Sequence, residues 1–173
     1  MTTRVRTSVL AVALAVVAAV LVGSVAGDDE AGAATQRTLR IPAAAFVPSN
    51  GAIGYYNWGS AVFRGGTGGP DPFVAPVLLE GNEATVHRVT LHYYDNGASA
   101  ICARLHRSTL KATSPKTMSQ ICTAGAVDAS RARTDTTIKA AKVGPGNAAY
   151  LYVTIPPGSY ALYGVTIVYT SDL

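Results

Sequence analysis

Charge is scarce in this chain: 14 Lys and Arg and 10 Asp and Glu are spread over 173 residues. The cations stand singly, without a dense basic run or interleaved aromatics, which argues against a nucleic-acid surface. Cysteine is limited to Cys102 and Cys122, and tryptophan to Trp58. A serine hydrolase would need a nucleophile on a sharp Gly-x-Ser-x-Gly turn, and the sequence has none. "RGGTGG" is not followed by the Gly-Lys-Ser/Thr of a phosphate loop, so no nucleotide cofactor is expected. Past residue 27 no apolar run is long enough to span a bilayer, and helical periodicity is missing too.

The amino terminus is different. Arg4 and Arg6 precede an uncharged stretch from Thr7 to Gly27, and "GDDEAGAATQ" then brings in small residues. That order predicts a secretory signal peptide over residues 1–34, cleaved after Ala26, Ala33 or Ala34, with an uncleaved anchor as the competing reading. The mature chain is expected to start near Thr35 and to form one secreted, extracellular domain over residues 35–173. Residues 1–33 hold two arginines and three acids, which leaves 12 Lys and Arg against 7 Asp and Glu, a net charge of +5. No membrane segment is expected after cleavage.

Apolar residues then recur with period two. Val86–Tyr94, Ala100–Leu105, Ser119–Thr123, Tyr150–Ile155 and Tyr163–Tyr169 are β-branched or aromatic runs bounded by Gly, Pro, Asn and Asp. "VDASRARTDTTIKAAKV" keeps no helical face, and its threonines fit an exposed strand. About nine short strands without a long helix predict an all-β fold, a single antiparallel β-sandwich of jelly-roll or immunoglobulin-like type.

Two register expectations follow from the alternation. If Val86–Tyr94 and Ala100–Leu105 form a hairpin with both apolar sets on one core, the loop must hold an odd number of residues, such as Asn96, Gly97 and Ala98. His92 would then lie across from Cys102 and Arg88 across from His106, while His87 would point to the other face. Placing Cys122 opposite Cys102 sets Ile121 opposite Ala103, so the apolar partners match when the cysteines do. Two cysteines in an exported chain already favour a bridge over a metal site, so a Cys102–Cys122 disulfide is predicted.

With Cys102 oxidised, "HYYDNGASAICARLHR" keeps only His92 and His106, too few for a zinc centre. No metal site or cofactor is expected. Of the acids, Glu80 and Glu83 in "EGNE" are the pair most open to an acid/base or calcium reading, but most acids sit at turns, so the chain is read as non-catalytic, with a small hydrolase as the weakest alternative. Tyr55, Tyr56 and Trp58 in "GYYNWG" are the candidate ligand-binding aromatics. Such residues either stack on sugars or close the end of a core with the ring buried. The expected role is binding or structural, outside the cell, with a carbohydrate-binding module as the alternative and a polysaccharide or a cell-surface protein as partner.

The order "IPAAAFVPSNG", "FVAPVLLEGNEATVHRVTLHYYDNGASAICARLHR", "AAYLYVTI" and "YALYGVTIVYT" resembles a group of exported bacterial β-sandwich domains of unknown function. The resemblance runs from Leu39 to Thr170. Its carriers are Ala75, Pro76, Val77, Leu78 and Gly81, then Val86, Tyr93, Tyr94 and Asp95, Leu105 and Arg107, and finally Tyr163, Gly164, Val165 and Tyr169. Glu80 and Asn82 depart from it, since proline and alanine are more usual there. The resemblance implies the fold and export, and no chemistry.

Overall fold

The computed structural model describes residues 34–66, 72–109, 111 and 114–172. Residues 1–33 of the predicted signal peptide and all of "TGGPD" lie outside the described residues. Twelve strands are present among the described residues: β1 (Thr35–Pro42), β2 (Val47–Pro48), β3 (Tyr55–Asn57), β4 (Val62–Arg64), β5 (Phe73–Val77), β6 (Ala84–Asp95), β7 (Cys102–Thr109), β8 (Lys116–Cys122), β9 (Val127–Asp135), β10 (Lys142–Val143), β11 (Asn147–Thr154) and β12 (Tyr160–Ser171). The excess over nine comes from two- and three-residue pieces such as β2 and β10.

They form the expected antiparallel β-sandwich. In the first sheet β12 lies at the centre, with β6 along one edge and β1 and β4 along the other; β9 and β10 pair with β6, and β3 with β4. The second sheet runs β2-β5-β11-β7-β8. Alternation decides which side each residue takes. Leu91, Leu162 and Ile167 of the first sheet and Phe73, Leu105 and Leu151 of the second are fully buried between the layers. Each such side chain contributes about 1.5–3 kcal/mol by leaving water. The first part of "VDASRARTDTTIKAAKV", Val127–Asp135, is the exposed strand β9, as expected for a stretch without a helical face.

The cysteine register holds. Cys102 pairs with Cys122 and Ala103 with Ile121 between β7 and β8, and the two sulfurs are bonded. The β6–β7 hairpin does not form. β6 belongs to the first sheet and β7 to the second, so residues 96–101 cross the sandwich. Both edges of β6 are taken by β12 and β9, and both edges of β7 by β11 and β8. In a sandwich two strands in opposite sheets face the same core, so the alternation that suggested a hairpin is equally satisfied by a crossing.

Side-chain bonds fix that crossing. The buried Asp95 carboxylate accepts the Thr123 hydroxyl and the Gly97 N–H, and Tyr160 Oη accepts the Ser99 N–H at 2.7 Å. A Cβ on Gly97 would run into the Tyr160 ring. Thr123 Oγ1 accepts the Ile101 N–H at 2.9 Å, and the Thr123 N–H donates to the Ile101 carbonyl.

Candidate functional site

The three candidate aromatics divide between two faces. On the β3–β4 ribbon Tyr55 pairs with Arg64, Tyr56 with Phe63, and Asn57 with Val62. Val62 and Arg64 are buried, so Tyr55 shares the core side, and its ring meets the buried Phe73 edge-on at 5.7 Å. Tyr56, Phe63 and Trp58 take the outer side, where the Trp58 and Phe63 rings lie 4.7 Å apart. Tyr56 is 63% and Trp58 72% exposed. The strip is held from below: Asn57 Oδ1 accepts the Gly59 N–H, Trp58 N–H donates to the Ala61 carbonyl, and a Cβ on Gly65 would come within 3.2 Å of the Tyr56 ring. Phe63 was missed in sequence because its partner is fixed by the cross-strand register, not by proximity along the chain.

The other sequence candidates separate. His92 and His106 were expected on adjacent strands of one face, yet they lie on opposite sheets, a direct consequence of the crossing. His87 was expected to point away from Arg88. Both are exposed, because a bulge opposite Val168 and Tyr169 inserts His87 as an extra residue in β6. Its Nε2 lies 2.9 Å from Thr170 Oγ1. Glu80 and Glu83 do not converge: the Glu80 carboxylate pairs with Arg37, and the Glu83 N–H donates to Asp172 Oδ1. Among the described residues no three His, Cys, Asp or Glu side chains are grouped to hold a metal.

A second surface came to light only in three dimensions, a trough of about 860 Å³ on the outer face of the first sheet. His92 stands at its floor with Gly164 and Ala132 as cross-strand partners, so the neighbouring strands contribute almost no side-chain bulk there. A second bulge makes Tyr163 the extra residue of β12, and its hydroxyl reaches Ser130 of β9 at 3.3 Å. Gly164 follows with φ +147°, and a Cβ there would meet the Ile41 carbonyl. His92 Nε2 and Thr166 Oγ1 are 2.9 Å apart. A smaller recess of about 380 Å³ continues past Arg88, Thr90 and Thr134, sharing Arg40, His92 and Thr166 with the first.

The outer face of the second sheet carries another ring cluster. His106 lies 5.3 Å from Tyr150 and 5.9 Å from Tyr152. Burial, reinforced by the nearby Arg104, holds its pKa below the ordinary histidine value, so the imidazole is neutral at pH 7. No helix among the described residues is long and apolar enough to cross a membrane.

No protein-family model and no curated protein matches the chain. Solved structures match it at low identity. The C-terminal CBM6 of LamC, a marine laminarinase from Zobellia galactanivorans, is 13% identical with a TM-score of 0.48, over 76% of this chain and 98% of that one. The CBM22-1–GH10 modules of Clostridium thermocellum xylanase 10B, complexed with xylohexaose, are 13% identical with a TM-score of 0.47, over 78% of this chain and 28% of that one. Eiger TNF from S. frugiperda is 14% identical with a TM-score of 0.41, over 79% of this chain and 85% of that one. The likeness concerns the β-sandwich alone.

Proposed function

We propose that the chain is exported as a signal peptide followed by one non-catalytic binding domain, and that the domain takes carbohydrate on the strip formed by Tyr56, Trp58 and Phe63. The observation that carries this reading is the pair of Tyr56 and Trp58, two rings more exposed than covered yet held on a bonded ribbon. Flat rings fixed in that way offer large contact area to a sugar face at small entropic cost, with Tyr Oη and Trp Nε1 free to meet hydroxyls. The bridge between Cys102 and Cys122 accords with an oxidising compartment outside the cytoplasm.

The experiment is a titration of the protein with soluble neutral glycans, followed by the emission of its single tryptophan. A saturable change that disappears in Tyr56→Ala, with the fold intact by circular dichroism, is the expected result. No response to any glycan, together with capture of a cell-surface protein through the same strip, would replace the sugar by a protein partner.

A further inference from the structure

The trough on the first sheet differs in chemistry from the aromatic strip. Arg40 and Arg88 stand on this face, and neither recess is lined by Asp or Glu; Arg131 pairs with the buried Tyr93 and takes the other face of β9. Neither of the two guanidiniums has a hydrogen-bond or ion-pair partner among the described residues. Asp128, at the β9 end, is engaged by the Tyr94 hydroxyl at 2.7 Å. The floor between the cations is made of polar side chains already oriented by one another, His92 with Thr166 and Thr90 with Thr134. From β1 to β9 the face crosses four strands, about 14 Å at the usual strand spacing.

Unpaired guanidiniums gathered round a hydroxyl- and imidazole-lined floor call for a ligand with carboxylates at its rim and hydroxyls along its body. We propose that this trough is a binding site for an acidic polysaccharide, whose carboxylates are taken by Arg40 and Arg88 and whose ring hydroxyls meet His92 and Thr166. The planar guanidinium fork matches a carboxylate with two parallel hydrogen bonds, which an ammonium cannot do. Single-stranded nucleic acid fits less well, because successive bases need a series of stacking rings and only Tyr163 is present. The site shares no residue with the aromatic strip and stands or falls without it.

The test is a binding isotherm of the purified protein with polygalacturonate, run beside dextran and a single-stranded oligonucleotide at low and physiological salt. Saturable binding to polygalacturonate, weakened by salt and absent with dextran, is expected. Arg40→Ala and Arg88→Ala, both at exposed positions, should each weaken it roughly tenfold. Ala132→Phe keeps every charge and fills the floor beside His92, and it should abolish binding while the melting temperature holds. Equal affinity for the oligonucleotide, or full binding by Ala132→Phe, would reduce the trough to a diffuse cationic surface and overturn the proposal. So would the absence of any polygalacturonate binding. A failure of neutral glycans at the strip leaves these outcomes untouched.

Discussion

Tyr160 and Tyr56 show how one residue type does opposite work in two regions. Tyr160 is 5% exposed, its hydroxyl receives the Ser99 N–H, and its ring occupies the space Gly97 leaves open. Tyr56 is 63% exposed, and its hydroxyl makes no bond among the described residues. The first belongs to the crossing that joins the sheets, where the N–H groups of Gly97, Ser99 and Ile101 each meet a side-chain oxygen. The second belongs to an edge ribbon whose rings face outward. Holding the fold and presenting a surface are thus separated in space, and mutations in the two regions should separate stability from binding.

The largest loss of stability should come from the exit of the crossing. Replacing both bridged cysteines, Cys102→Ala with Cys122→Ala, frees a loop of 20 residues in the unfolded chain, at a cost of about 3 kcal/mol. Denaturant unfolding should show a lower midpoint with an unchanged glycan response. Loss of binding in a variant that is still folded would mean that the two regions are coupled.

Asp95→Ala should cost somewhat less, about 2 kcal/mol, because it leaves the Thr123 hydroxyl and the Gly97 N–H without their acceptor in a buried place. A stability equal to that of the parent would show that the crossing is fixed by apolar packing alone.

A smaller effect lies on β9, outside both regions. Burial pushes the Asp135 pKa upward, but hydrogen bonds from Ser119 and Thr137 outweigh it and hold the carboxyl below its ordinary value. A depressed carboxyl stabilises the fold fully above its unfolded value of about 3.9, and the contribution is lost as pH falls through the folded value. Thermal melts of Asp135→Asn and the parent should therefore differ at pH 7 and converge in strong acid. The opposite trend would place the carboxyl's stabilising partners elsewhere.

The sequence makes the two-sided alternation and the Cys102–Cys122 register legible because both depend on period and on matched neighbours across a short hairpin. It hides the crossing, since Val89, Leu91 and Tyr93 face the core whichever sheet holds the next strand. Period alone also cannot place His87, because a bulge changes the face without changing the residues. The trough is the least legible part. Arg40, His92, Ala132 and Thr166 come from four strands, and the hollow itself is due to what Gly164 and Ala132 lack. The aromatic strip lies between. "GYYNWG" flags the rings, but only pairing to Val62, Phe63 and Arg64 sends Tyr55 inward and Tyr56 outward.

The edge ribbon gives the smallest expected change in stability, and that smallness sharpens the contrast with the crossing. Trp58 is 72% exposed and touches Phe63 at the surface, so Trp58→Ala uncovers little of the core. Exposed substitutions of this kind usually stay within about 0.5 kcal/mol. A ring pair that closed the end of the core would add roughly 0.5–1.5 kcal/mol for the contact, on top of the apolar area it covered. Unfolding of Trp58→Ala by circular dichroism decides between the two roles. A shift near zero leaves Trp58 free to act at the surface, as Tyr56 would beside it. A loss near 2 kcal/mol would make the indole a lid over Phe63, and the ribbon would join the crossing as part of what holds the sandwich closed.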